Sequence, residues 1–262
     1  TATADQIIVG AHQDDDNGSQ SGSVYVYDAN DLSAHPTKLG AFDGAASDFF
    51  SFSVAAAADK IVVSAHGDDD NGSVSGSVYV YDANDLSAQP TKLTAFDGAG
   101  GDQFGRSVAA TADQIIVGAY YDDDNGSNSG SVYVYDTNDL TAQPTKLTAF
   151  DGATDDRFGA PVVATADKII VGAYGDESFT GSVYVYDANN LSATPTKLTA
   201  FDAAAGDYFG RSVSVTTDKI IVGAPYDDDN GTNSGSVYVY DANNLSATPT
   251  KLTAFDGATD DW

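Results

Sequence analysis

Four carboxylate triplets, each closed by Asn-Gly, are the residues best placed to do chemistry: Asp14-Asp15-Asp16-Asn17, Asp68-Asp69-Asp70-Asn71, Asp122-Asp123-Asp124-Asn125 and Asp227-Asp228-Asp229-Asn230. Clustered hard oxygens of this kind suit calcium, which takes about six to eight oxygen ligands. The spacing departs from an EF-hand-like loop. With Gly126 at the sixth position, Asn125 and Asp123 fall at five and three, but Tyr121 falls at one; Gln13, Gly67 and Tyr226 hold that place in other copies. The metal reading is therefore a looser cage of Asp122, Asp124, Asn125 and backbone carbonyls. Its rival is a solvated Asx-type turn, because adjacent carboxylates repel one another well inside a Debye length of ~8 Å. A fifth copy has Gly175-Asp-Glu-Ser-Phe-Thr-Gly181 in place of the triplet and is expected to be the weakest cation site.

Other candidate chemistry is thinner. His12 and His66 stand where other copies have Tyr120, Tyr174 and Pro225, which favours packing over ligation, and His35 precedes Pro36 in a loop. With no Cys and no distinctive Ser-His-Asp grouping, nucleophilic catalysis has little support, and the chain reads as no enzyme. Paired tyrosines such as Tyr79 and Tyr81 suit either a sugar-stacking platform or filling between sheets; the second is favoured. Arg106, Arg157 and Arg211 lie beside Phe residues, to neutralise acidic loops or to line a central channel. Asn17, Asn71, Asn125, Asn190, Asn230 and Asn244 head glycan-acceptor sequons, although turn chemistry alone accounts for all but Asn190 and Asn244.

What must position the aspartates is a repeat. The serine opening Ser-Val-Tyr-Val-Tyr-Asp recurs at Ser23, Ser77, Ser131, Ser182 and Ser236, with spacings of 54, 54, 51 and 54. A fixed period of this size signals stacked or radial supersecondary units. In the third full copy, four strands are predicted over about 104–110, 114–119, 131–135 and 146–150. The second is a continuous apolar run, and the third alternates Val with Tyr, giving two different faces. The fourth alternates Lys146 and Thr148 against Leu147 and Ala149, the pattern of a half-solvated outer strand. Four strands per period without helical spacing predict an all-β propeller of five four-stranded antiparallel repeats, a single domain over residues 1–262. In an up-and-down repeat, the link from second to third strand and the link to the next repeat share one face. That face is expected to be strongly negative, since Asp43, Asp48, Asp97, Asp102, Asp151, Asp155, Asp156, Asp202 and Asp207 join the triplets there.

The repeats are unequal in one respect. Thr1 to Ala4 align with Ala109 to Ala112, and Trp262 aligns with Arg157, one residue before a Phe-Gly, so five copies of the later strands meet only four first strands. The expectation is a chain continuing in a longer parent, with strand donation by a neighbouring molecule, or tolerance of the gap, as alternatives. No leader peptide and no initiator Met stand at the start, which reads as a processed product or an excerpt. A net charge of −28 argues against nucleic acid and anionic membrane as partners, and no apolar run approaches a membrane span. Apart from Glu177 the acid is all Asp, the turn former.

Phe104-Gly105, Phe158-Gly159 and Phe209-Gly210, each followed in its copy by Gly-Ala-Tyr or by Gly223-Ala224-Pro225, resemble the FG-GAP repeats of integrin α-subunit propellers and of secreted microbial proteins. The resemblance covers the whole chain, with Phe50-Ser51 a degenerate pair. One departure matters: integrin-type repeats carry their calcium loop between first and second strands, where this chain has only Thr111-Ala-Asp-Gln114. The acidic run follows the second strand instead, as in the secreted microbial branch. The resemblance implies an extracellular or cell-surface module for adhesion or assembly, with calcium as cofactor and a protein or glycan ligand on the acidic face. An accessory propeller of a larger secreted enzyme and a lectin-like module are the alternatives.

Overall fold

A computed structural model describes residues 1–260; Asp261 and Trp262, at the end of the last repeat, lie outside the described residues. Five antiparallel sheets follow one another along the chain, each built from consecutive strands. The first has three: β1 (Gln6–Ala11), β2 (Ser23–Asp28) and β3 (Thr37–Leu39). The second runs β4 (Val54–Ala57), β5 (Lys60–Ala65), β6 (Ser77–Asp82) and β7 (Thr91–Leu93). The third runs β8 (Ser107–Ala110), β9 (Gln114–Ala119), β10 (Ser131–Asp136) and β11 (Thr145–Leu147). The fourth runs β12 (Val162–Ala164), β13 (Lys168–Ala173), β14 (Ser182–Asp187) and β15 (Thr196–Leu198), with one helical turn, α1 (Asp176–Phe179), between β13 and β14. The fifth runs β16 (Ser212–Val215), β17 (Lys219–Ala224), β18 (Ser236–Asp241) and β19 (Thr250–Leu252). The all-β repeat architecture expected from the period is the one found.

Two compact units partition these sheets. One comprises residues 1–122 with 132–146, the other Asp123–Ser131 and the chain from Leu147 onward. In the first unit the two faces of Val-Tyr-Val-Tyr pack differently, as alternation requires. Val24, Val26 and Leu39 of the first sheet meet Tyr79 and Tyr81 of the second, with Phe50 between them. The valine face of the second sheet, Val78 and Val80, meets Tyr133 and Tyr135 around Phe104. The second unit repeats the scheme with Val183, Val185, Phe209, Tyr238 and Tyr240. Phe50, Phe104, Phe158 and Phe209 are fully buried, and each such side chain contributes about 2–3 kcal/mol by leaving water.

Strand ends differ from the sequence reading for a physical reason. β8 starts at Ser107 rather than at 104, because Phe104 is drawn onto the preceding sheet, its amide donating to Ser75 O at 2.9 Å, while the Gly105 amide turns back to Gly118 O of β9 at 3.0 Å. β11 is only three residues long. At the N-terminus, Thr1 to Thr3 fold back on β1, with Ala2 opposite Ile7 and the Ile8 amide donating to Thr1 O at 2.9 Å. The first sheet thus keeps the tail end of the strand it otherwise lacks.

Candidate functional site

The second repeat shows how an acidic loop is built. The Asp70 amide donates to Asp68 Oδ1 at 3.1 Å, the Val74 amide to Asp69 Oδ1 at 2.6 Å, and the Asn71 amide to Ser75 Oγ at 3.1 Å. The first two tie a carboxylate to a nearby backbone amide in the Asx manner, and the third uses a serine hydroxyl as acceptor. Gly72 takes φ +127°, a backbone conformation that side chains disfavour, and closes the loop through Gly72 N to Asp69 O at 3.0 Å. The triplet is thereby divided by role: Asp68 is buried inward, Asp69 holds the loop, and Asp70 faces outward.

Asp68 is not alone in its pocket. Tyr79 and Lys92 stand directly opposite each other on β6 and β7, so both point to the same face of the sheet. Tyr79 Oη donates to Asp43 Oδ1 at 2.6 Å and to Asp68 Oδ2 at 3.2 Å. Lys92 Nζ lies 2.8 Å from Asp43 Oδ2, 2.8 Å from Asp68 Oδ2 and 2.6 Å from Asp70 Oδ2. Asp43 belongs to the link leaving the preceding sheet. The ammonium therefore sits where a metal ion would, surrounded by three carboxylates, and lies 5.3 Å from the centre of the Tyr79 ring.

The same cage recurs. Lys146 pairs with Asp97 at 2.8 Å and Asp122 at 3.0 Å, with Tyr133 donating to both. In the second unit Lys197 pairs with Asp151 at 2.7 Å and Asp176 at 2.6 Å, beside Tyr184. Lys251 pairs with Asp202 at 2.7 Å, Asp227 at 2.8 Å and Asp229 at 2.5 Å, beside Tyr238. The shortened fourth loop keeps its inner carboxylate: α1, with Glu177 and Ser178 at positive φ, still delivers buried Asp176 to Lys197. In the first repeat Lys38 reaches Asp14 at 3.1 Å and also Asp16, and Tyr25 donates to Asp14 at 3.2 Å.

Charge and burial account for the ionisation of these groups. Burial pushes Asp43, Asp97, Asp151 and Asp202 up, but the lysine and then the tyrosine hydrogen bonds outweigh it, leaving each below the ordinary carboxylate range. Burial lowers Lys92 and Lys251, yet their aspartates hold both above the usual lysine value. Burial, then hydrogen bonds and charge from the carboxylates, raises Tyr79 and Tyr133, which stay protonated donors. A second row of buried aspartates is unlike the first. Asp48, Asp156 and Asp207 accept from Ala45, Ala153 and Ala204 amides at 2.7, 2.6 and 2.8 Å. Among the described residues no lysine forms an ion pair with them; desolvation raises all three, Asp156 to about 6.

Among the expected metal ligands, the inner members Asp68, Asp122 and Asp227 are buried and Asp14 is half-buried, whereas Asp15, Asp16, Asp69, Asp70, Asp123, Asp124, Asp228 and Asp229 are exposed. The oxygens of Asp202, Asp227 and Asp229 lie within 4.8 Å of one another, the spacing a cation needs, and Lys251 Nζ supplies that cation. The donor set does not fit a resident calcium there: the ammonium takes the central position, and the tyrosine hydroxyl arrives as a donor. Within each unit the acidic loop and the preceding acidic link do meet, as Asp68 with Asp43 and Asp227 with Asp202. All six sequon asparagines are exposed, but the amides of Asn71 and Asn230 donate to Ala95 O at 3.4 Å and Ala254 O at 3.0 Å.

The lysines and tyrosines are the residues that local reading missed. Lys146 was expected on a solvated face, yet its side chain is 12% exposed. The available signal was co-occurrence: all five copies keep the inner Asp, the first Tyr and the Lys, while the fourth loses the rest of the triplet. The remaining candidates pack. His66 lies between Phe49 and Phe52, and burial followed by the charges of Arg106 and His12 pushes it down to about 4. Arg106 stacks 4.0 Å from the Phe52 ring centre and Arg211 4.7 Å from that of Tyr174, so aromatic faces rather than acidic loops hold them.

Comparison with known proteins places this arrangement. A family model described as FG-GAP repeat matches residues 2–27, 35–81, 88–135, 141–186 and 194–240. None of the curated proteins matches the sequence. Among solved structures, TolB from Acinetobacter baumannii superposes with a TM-score of 0.56 at 17% identity, over 95% of this chain and 53% of that one. This chain thus spans about half the length of that structure, and the likeness shows the β-propeller fold alone.

Proposed function

Because the chain belongs to the FG-GAP repeat family, we propose that it is a non-catalytic module of the extracellular space or cell surface, serving adhesion or assembly by presenting its aspartate-rich loops to a protein or glycan partner. The observation that carries this reading is the division of labour within each triplet. Lysine neutralises the buried inner carboxylate and also reaches the outer one, 57% exposed at Asp70 and 56% at Asp229, while the middle carboxylates Asp69, Asp123 and Asp228 are exposed at the loop tips. Projecting like charges on ordered loops create a negative surface that steers a cationic or hydrogen-bonding partner. Calcium enters this reading as a loosely held ion at the loop tips, gathered by the surface potential, while lysine does the structural work of a resident ion. Among the described residues no helix is long and apolar enough to cross a membrane.

Two experiments test it. Binding to cells and to a glycan array should be lost when Asp69, Asp123 and Asp228 are all changed to Asn, with the melting midpoint held, since Asn keeps the oxygen that accepts from the loop amide. Binding that survives both this change and about 1 M salt removes the acidic surface from the function. For the metal, the midpoint should move by less than about 1 °C between chelator and millimolar calcium. A rise of several degrees with calcium would place a resident ion in the fold.

A further inference from the structure

Arg106 is a cation without a carboxylate, in a chain that has 39 acidic residues against 11 basic ones. Among the described residues Lys38, Lys92, Lys146, Lys197 and Lys251 each meet at least two aspartates, whereas no ion pair joins Arg106 to any. Its surroundings are aromatic instead. The guanidinium lies 4.0 Å from the Phe52 ring centre and 5.6 Å from that of Tyr120, and Nη1 lies 3.2 Å from His66 Nε2. Two consecutive repeats supply these parts: Phe52 and Arg106 each follow the buried Phe of their repeat by two places, and His66 and Tyr120 each come directly after the second strand, β5 or β9. All four belong to one compact unit. The other unit repeats the placement, with Arg211 4.7 Å from the Tyr174 ring centre and again in no ion pair among the described residues.

His66 shows that the orientation of this guanidinium is maintained against a cost in stability. Arginine has only donors, so Nε2 must accept from it, and the proton of the neutral ring stands on Nδ1. That Nδ1 is buried and has no hydrogen-bond partner among the described residues. A buried N–H left unpaired destabilises a fold, and Tyr120 and Tyr174 hold the equivalent place in the next two copies, so packing alone does not call for a histidine. Stacking decides which donors stay available. With one face on Phe52, the guanidinium presents its N–H groups in its own plane, and His66 uses one of them. The immediate field is positive, since the charges that weigh on His66 are those of Arg106 and His12. Tyr121, half-buried, stacks on Tyr120 with ring centres 4.0 Å apart and extends the aromatic surface beyond the arginine.

We propose that Arg106 anchors a binding site for a uronate, the carboxylated sugar of an acidic glycan, with the carboxylate held by the in-plane N–H groups and the sugar ring laid against Tyr121. The planar fork of a guanidinium matches a carboxylate through two parallel hydrogen bonds, and an aromatic face suits the apolar face of a pyranose ring. A carboxylate is favoured over phosphate because a single negative charge is repelled less by the aspartates of the wider surface. His66 is a positioning residue, acting on the ligand only through Arg106. The inference goes beyond the adhesion reading, since neither the aspartate triplets nor a metal ion takes part.

The probe is the methyl glycoside of glucuronic acid, titrated calorimetrically into the intact chain beside methyl glucoside and inorganic phosphate. The uronate should bind, and both comparison compounds should bind about tenfold more weakly or worse. In NMR spectra of the unaltered protein it should shift the Arg106 Nε–H and Tyr121 ring signals. Arg106→Gln should abolish binding, Arg106→Lys, a charge without the fork, should weaken it by about tenfold, and Arg211→Gln should leave it unchanged. His66→Phe keeps the ring and removes both nitrogens, so binding should fall several-fold while the melting midpoint holds or rises, a split that a packing role would not produce. The proposal is overturned by unmoved Arg106 signals in the unaltered protein, by equal affinity for methyl glucoside or phosphate, or by binding that survives Arg106→Gln. A His66→Phe variant that melts lower yet binds as before removes the positioning role.

Discussion

Lys92 and Lys38 occupy the same position in consecutive repeats of one compact unit, yet their surroundings differ. Lys92 meets carboxylates from its own loop and from the preceding link, Asp43, and its side chain is 13% exposed. Among the described residues Lys38 pairs only within its own loop, with Asp14 and Asp16, and is 35% exposed. The inner aspartate follows suit, 5% exposed at Asp68 and 18% at Asp14. The link brings more than a charge. Phe42 packs edge-on to Tyr79 at 5.7 Å and Asp43 completes the cage, so the neighbouring repeat both dries the site and neutralises it. A lysine cage is therefore a property of two repeats together, and a lone repeat builds only an exposed version.

Removing the cation should break this comparison most strongly. Lys92→Met leaves Asp43, Asp68 and Asp70 facing one another in a poorly hydrated site, and should cost about 3 kcal/mol, a fall in midpoint of about 6–12 °C by thermal melting. Lys38→Met should cost clearly less, its carboxylates being free to hydrate. Equal shifts would mean the preceding link contributes nothing. Next in size is Tyr79→Phe, which deletes the hydroxyl shared by Asp43 and Asp68, at about 1–2 kcal/mol in denaturant unfolding; Tyr25→Phe should again be milder.

The second aspartate row sharpens the contrast through pH. Asp156 is raised to about 6 in the folded chain, by desolvation first, against an ordinary value near 3.8. The folded state then binds more protons than the unfolded state between those values, so stability from this group rises as pH falls from about 7 toward 4. The lysine-paired aspartates act oppositely: held low, they lose their contribution only as pH falls through their depressed folded values, below about 3.8. The midpoint should accordingly rise by about 2–4 °C from pH 7 to 5 before collapsing in stronger acid. Asp156→Asn should flatten that rise. Smallest is the salt effect: the cost of Lys38→Met should shrink between about 0.05 and 0.5 M salt, and that of Lys92→Met should hardly change.

Much of the fold was legible in the sequence because it rests on local regularities. The period set the number of sheets, and the run Gln114–Ala119 predicts β9 to the residue because a continuous apolar stretch between turn formers has few alternatives. Val-Tyr alternation foretold two unlike faces, and Phe-Gly foretold the family. The candidate site was legible only in half. The triplets were visible, but their partners lie far along the chain: Lys92 is 24 residues from Asp68 and 49 from Asp43.

Strand periodicity, turn positions and the surplus of aspartate over cations were thus determined by the sequence alone, since each depends on residues within a few places of one another. Which cation answers which aspartate was decided only when the sheets packed. Pairing Tyr79 with Lys92 across β6 and β7, and laying the preceding link beside that face, brought one ammonium among three carboxylates with the water largely removed. Coulomb attraction strengthens as water leaves, and that turned a solvated acidic loop with a surface lysine into a closed ionic cage.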